Sequence, residues 1–149
     1  MDLRELYQEL IVDHSKQPRN FGPMPESNYH ADGFNPLCGD KIRLYLKIED
    51  NVITETGFEG SGCAISTASA SIMTEMLKGQ TITQAEALFE RFHSMVTGSM
   101  GPDGGVDDFG KLAVFSGIKE YPARVKCATL AWHTLRNALL ERDETAKTE

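Results

Sequence analysis

The chain has 149 residues, with 15 basic and 22 acidic side chains, a net charge of −7 and a mean hydropathy of −0.33. That length suits one domain around one core, and the acidic balance excludes a general nucleic-acid binder, which presents a basic patch or stripe. No apolar run approaches the roughly 20 residues that cross a bilayer as a helix, and Met1-Asp2-Leu3-Arg4-Glu5 lacks the basic and apolar regions of a secretory signal. The expected setting is therefore cytoplasmic, with no membrane and no nucleic acid among the partners.

Residues 2–15 read as a helix, because Leu3, Leu6, Tyr7, Leu10 and Ile11 recur at helical spacing, and Pro18 ends it. Residues 17–36 are rich in Pro, Asn and Gly and read as a loop that delivers Cys38. Over 41–48, Ile42, Leu44, Leu46 and Ile48 alternate with Lys41, Arg43, Tyr45 and Lys47, the pattern of a strand with one buried face. Glu49-Asp50-Asn51 is a turn, and residues 52–59 pair back as a second strand. Gly60 and Gly62 turn the backbone into a helix over 64–78, which puts Cys63 at its N-terminus. There the helix dipole favours a thiolate over a thiol. This helix is lined with Ala64, Ser66, Ala68, Ser69, Ala70 and Ser71, small enough for close packing, and Gly79 caps its end.

Thr83 with Glu86 reads as a capping box opening a helix over 84–97. Gly98, Gly101, Pro102, Gly104 and Gly105 form a loop without the Gly-Lys-Ser/Thr ending of a phosphate-binding loop. A short helix follows from Asp107 to near Gly117, Tyr121-Pro122 breaks the chain, and a last helix runs from 126 to 142. The tail over 143–149 is polar and expected to fray. No repeat and no second domain is visible.

Three cysteines remain to be explained: Cys38, Cys63 and Cys127, each placed by this reading where a loop meets a regular element. An odd number leaves a pure disulfide framework incomplete. With Asp40 they make up a complete four-ligand set for zinc, and the same thiols could hold iron or carry sulfur. Spacing alone is weak support, since there is no Cys-x-x-Cys and free cysteines often only pack. Asp40 has an ordinary alternative role at a strand start. His14, His30, His93 and His133 fall outside the cysteine segments and read as surface or packing residues.

The segments Leu6-Tyr7, Asp13-His14, Pro18-Arg19-Asn20-Phe21-Gly22, Asn35-Pro36-Leu37-Cys38-Gly39-Asp40, Phe58 to Ser66 and Lys126-Cys127 together resemble the IscU/NifU-type iron–sulfur assembly proteins over nearly the whole chain. Within that family the chain is most similar to the SufU branch. The usual scaffold has a histidine just before the third cysteine, where this chain has Lys126, and the stretch 98–117 looks like a SufU-type insertion. The resemblance implies a single 1–149 domain of α+β class: a compact SufE/NifU-like sandwich with a small, mostly antiparallel three-stranded sheet and several helices. Its third strand would have to come from residues 24–34.

The resemblance further implies zinc held by Cys38, Asp40, Cys63 and Cys127. Cys38 would accept sulfur from a PLP-dependent cysteine desulfurase of the SufS type and pass it on to a downstream assembly scaffold. In that family a histidine of the desulfurase takes over a zinc position and frees this cysteine. Arg124 matches a family arginine near the site, and Arg124 and Lys126 are placed to offset its negative charge. Such a protein would be a zinc-dependent sulfurtransferase or persulfide carrier with no independent turnover. The alternatives are a scaffold for a labile [2Fe–2S] cluster or iron, which Lys126 weakens and Asp40 keeps open, and a structural zinc domain that only recruits partners.

Overall fold

The computed structural model describes residues 3–97, 106–118, 121–140 and 146–147. Helix α1 (Leu3–Lys16) leads through a long loop to strand β1 (Tyr29–Asn35), β2 (Asp40–Glu49) and β3 (Val52–Ser61). Helices α2 (Ala64–Leu77) and α3 (Ile82–Thr97), a 3₁₀ segment (Val106–Phe115), α4 (Pro122–Leu139) and a two-residue strand β4 (Ala146–Lys147) complete the chain. The sheet order is β3-β2-β1-β4, with the first three strands antiparallel. The fold is the expected α+β class, and the third strand does come from the segment before Cys38.

The alternation read along β2 determines which face is covered. Ile42, Leu44, Leu46 and Ile48 are buried beneath helices, while Lys41 and Arg43 are exposed on the other face, where Arg43 pairs with Asp32 at 2.7 Å. Helices α2 and α4 pack on the sheet, with α1 against α2 and α3 against α4. The small residues Ala68, Ser69, Ala70 and Ser71 of α2 are all buried at these contacts. Trp132 of α4 is fully buried, stacks on Phe92 at 4.6 Å and donates from Nε1 to Ser69 Oγ at 3.1 Å. Truncating a core aromatic of this kind to alanine costs about 3–5 kcal/mol. Leu112, Ala113, Val114 and Phe115 bring the 3₁₀ segment into this same core.

Four expectations shift. The capping box is Thr81 with Gln84, two residues before Thr83 and Glu86. The Thr81 amide donates to Gln84 Oε1 at 2.9 Å and the Gln84 amide to Thr81 Oγ1 at 3.1 Å. The β2–β3 turn sets that start, because the Ile82 amide donates to the Asn51 carbonyl at 3.1 Å. Helix α4 begins at Pro122, not at 126. Proline at the first helical position needs no amide partner and has a suitable φ already set, so it opens the helix that it was expected to precede. The helix expected over 107–117 is a 3₁₀ segment kinked at Gly110, where φ is +57°. In the tail expected to fray, Ala146 and Lys147 pair in parallel with Gly33 and Phe34. The glycine-rich loop 98–105 and residues 143–145 and 148–149 lie outside the described residues. Among the described residues no helix is long and apolar enough to cross a membrane.

His14 ties α1 to α2. It is fully buried, and its Nδ1 lies 2.7 Å from Ser71 Oγ, which also accepts the Arg19 amide at 2.8 Å. Its Nε2 faces Glu75 Oε1 at 3.6 Å. Burial, then the Arg19 charge, push the imidazole pKa below its ordinary value. The unfolded chain, with histidine near pH 6.5, thus binds protons more readily than the folded one. The contribution of neutral His14 is fully present above about pH 6.5 and is lost as pH falls from there through the folded value. Between about pH 7.5 and about pH 5.5, the thermal unfolding midpoint of the parent protein should therefore fall more than that of His14→Gln. Equal falls would mean that His14 does not carry this linkage.

Candidate metal centre

The site is assembled from three places in the chain. Asn35 at the end of β1 and Asp40 at the start of β2 are cross-strand partners, and the four residues between them form the hairpin turn that carries Cys38. The Gly39 amide donates to the Asn35 carbonyl at 2.8 Å, and Gly39 has φ +73°, a conformation that glycine adopts without cost. Cys38 is thereby exposed at the hairpin tip next to Leu37, which is 63% exposed. Asp40 is fully buried beneath it.

Cys63 comes from the N-terminus of α2, as expected. It is the N-cap residue, and its Sγ accepts from the Ser66 amide at 3.4 Å. Its own amide donates to Asp40 Oδ1 at 2.9 Å. Cys127 lies in the second turn of α4, because that helix starts early, and it is buried. The expectation that every cysteine sits at an element boundary thus holds for two of the three.

These side chains converge. Cys38 Sγ and Cys127 Sγ are 3.6 Å apart, and single ligand atoms of Cys38, Asp40 and Cys127 all lie within 4.8 Å of one another. Cys63 joins from the carboxylate side, with Sγ 4.0 Å from Asp40 Oδ2. With Zn–S bonds of about 2.3 Å in a tetrahedron, two sulfurs on one zinc stand about 3.8 Å apart. The Cys38–Cys127 spacing is close to that.

Cys127 dominates the electrostatics of the cluster. Burial, then the Cys63 and Cys38 thiols beside it, push the Cys127 thiol far above its usual range. Burial of this kind disfavours the thiolate, and a coordinated metal is what lowers a thiol's pKa most strongly. Cys38, Asp40 and Cys127, with Cys63 beside the carboxylate, offer sulfur and oxygen donors of the kind that suit a borderline-soft divalent ion. Neither α2 nor α4 carries an acid in its first turn, so no carboxylate there opposes negative charge at the site.

Arg124 and Lys126 sit near the start of α4. The Arg124 guanidinium lies 4.9 Å over the Tyr121 ring and is exposed, and Lys126 is half-buried. The histidines are engaged elsewhere: His14 with Ser71, His93 and His133 around Phe89, and His30 exposed on β1. A groove of about 380 Å³ between α3 and α4, lined by Glu86, Phe89, Arg136 and Leu139 among others, contains none of the cysteines.

Two residues at the site were not singled out by sequence reasoning. Asn35 is fully buried against Asp40 and Cys127; its only sequence cue is its place opposite Asp40 across a turn. Gly62 was read as a turn residue, yet a Cβ built there would come within 2.6 Å of Asp40 Oδ1. Its missing side chain is what lets the carboxylate lie against the start of α2.

The family profile of the NifU-like N terminal domain matches residues 6–139. The chain is 39% identical over 142 residues to the zinc-dependent sulfurtransferase SufU of Bacillus subtilis (strain 168), covering 95% of each. It is 40% identical over 139 residues to the iron-sulfur cluster assembly scaffold protein IscU of Thermotoga maritima, covering 93% of this chain and 96% of that one. The crystal structure of FiSufU from Fervidobacterium islandicum AW-1 superposes with a TM-score of 0.82 at 34% identity, over 93% of this chain and 99% of that one.

Gly62→Ala should displace the Asp40 carboxylate while leaving the helices intact. Affinity for an added divalent metal ion, measured by competition with a chromophoric chelator, is expected to fall about 10–100-fold, the usual cost of disturbing a group that orients a ligand. Unchanged affinity in the folded variant would mean that Asp40 is not held at the metal by this contact.

Proposed function

This chain belongs to the NifU-like N terminal domain family, and from that premise we propose that it is a zinc-binding sulfur acceptor serving iron–sulfur cluster assembly. The observation that carries the reading is the graded exposure of a single thiol cluster. Cys38 is exposed at a hairpin tip, Cys63 is half-buried and Cys127 is buried, with Cys38 and Cys127 in sulfur–sulfur contact. Cys38 is therefore the thiol that a partner can reach, and the close approach of Cys127 and Asp40 to it supports a metal-holding role for the inner residues.

Cys38, Asp40, Cys63 and Cys127 are the proposed zinc ligands. When bound, zinc keeps these thiols deprotonated at neutral pH and adds no redox chemistry of its own. Three thiolates and one carboxylate around Zn²⁺ leave a formal charge of two negative, which Arg124 and Lys126 at the start of α4 help offset. The donor is a persulfide on a PLP-dependent cysteine desulfurase of the SufS type. The Cys38 thiolate attacks its terminal sulfur; a new S–S bond forms on Cys38, the donor S–S bond breaks, and the donor cysteine leaves as a thiolate. No net oxidant or reductant is consumed. The sulfur then passes to a downstream iron–sulfur scaffold in the cytoplasm. Such a protein has no turnover without its partner.

A second reading is a scaffold that holds a labile [2Fe–2S] cluster on the same residues. The IscU of Thermotoga maritima, at 40% identity, favours it. Lys126, where the usual scaffold has a histidine, opposes it, because a lysine ammonium offers no lone pair to iron.

The test pairs the protein with a SufS-type desulfurase and cysteine, and follows alanine release and persulfide location by mass spectrometry. The parent is expected to accelerate the desulfurase and to carry one extra sulfur on Cys38. Cys38→Ala should lose both. Stimulation that survives in Cys38→Ala would overturn the acceptor role.

A further inference from the structure

Asn35 has a side chain that is fully buried and committed at every polar atom to the site. Its Oδ1 accepts from the Leu37 amide at 3.2 Å. An amide N–H can only donate, so the oxygen must face Leu37 and the NH₂ must face the opposite way. On that side Nδ2 lies 3.4 Å from Asp40 Oδ2 and 3.8 Å from Cys127 Sγ. One side chain thus touches a carboxylate on β2, a sulfur on α4 and the backbone of the turn that carries Cys38. The cross-strand pairing of Asn35 with Asp40, at the last position before that turn, makes this reach possible.

The asymmetry of these contacts is informative. The two groups that Asn35 donates to are the two buried ones, Asp40 and Cys127. Cys38, which is exposed, receives no bond from it; its contacts are the turn and the Cys127 sulfur. Amide hydrogens aimed at the carboxylate oxygen and the sulfur favour the charged, ligand forms of both and restrict their movement.

We propose that Asn35 is the positioning residue of this centre: its side-chain amide holds Asp40 and Cys127 as fixed ligands and leaves Cys38 as the ligand able to move. This rests on the metal-binding reading above. It also separates two roles that one residue could play. A residue that only shapes the turn needs just its Oδ1. A residue that positions ligands needs its N–H donors.

Asn35→Asp distinguishes these roles, because it keeps the shape and the acceptor for Leu37 while replacing both donors with a carboxylate oxygen that repels Asp40. Asn35→Ala removes everything. Zinc affinity is read by chelator competition, and cobalt(II) replaces zinc for a spectroscopic readout of the ligand set. The expectation is a 10–100-fold loss of zinc affinity in both variants, with an altered cobalt d–d envelope in Asn35→Asp. If Asn35→Asp matches the parent within about twofold, well inside the 10–100-fold expected, and only Asn35→Ala falls, the residue shapes the turn and the proposal is overturned.

If the variants do not fold, NMR of the parent decides. The Asn35 side-chain amide protons should shift on zinc addition and exchange slowly with solvent; amide protons that zinc leaves unmoved would overturn the proposal. Failure of the underlying reading looks different: the parent would then bind zinc no more tightly than Cys127→Ser.

Discussion

The buried carboxylate of Asp40 is the constraint on which the site depends. It begins β2, lies against the first residues of α2, and has no solvent contact. A buried carboxylate is costly unless hydrogen-bonded. Here the Cys63 amide takes one oxygen and the Asn35 side chain approaches the other. Those two contacts lock the β1–β2 hairpin to the start of α2, and with it Cys38 to Cys63. Gly62 is required for the same reason, since any side chain there would occupy the carboxylate's space. Cys127 enters from α4, whose own position is set by Trp132 and its hydrogen bond to Ser69 of α2. The scaffold thus brings three distant cysteines together through one polar contact set and one packed helix pair.

The chemistry follows from the burial gradient across that cluster. A thiol that is buried among other thiols resists ionisation, as Cys127 does. A thiol at a hairpin tip is open to collision. Combining both in sulfur–sulfur contact suits a centre that grips a cation with its inner atoms and exposes its outer sulfur. The absence of acids from the first turns of α2 and α4, and the presence of Arg124 and Lys126 on the latter, fit a site that carries net negative charge when loaded.

Much of this was legible in the sequence where periodicity was strong. The alternation of Ile42, Leu44, Leu46 and Ile48 located β2, and the small residues of α2 marked a closely packed helix. The glycines before Cys63 located its N-cap. The reading failed where local and tertiary signals compete. Tyr121-Pro122 reads equally well as a break or as a helix start; here the Arg124 and Val125 amides donate to the Tyr121 carbonyl and the helix opens at Pro122, which moves Cys127 from a boundary into a helix. Thr81 and Thr83 both offer a cap, and the backbone bond from Ile82 to Asn51 in the preceding turn selects the earlier one. β1 carries Gly33 and Asp32, which obscure its strand pattern. Asn35 was invisible because nothing in a linear sequence shows that it faces Asp40 across a turn and meets a sulfur from a residue 92 positions away.

The central claim is that this thiol cluster is a zinc site which carries sulfur, not a cluster scaffold. Its most direct measurement is element analysis of untagged protein purified without oxygen, with zinc, iron and acid-labile sulfide quantified together. The account expects about one zinc per chain, as a single site of three thiolates and a carboxylate requires, with negligible iron. Iron accompanied by matching sulfide would contradict it and assign the same residues to a [2Fe–2S] scaffold.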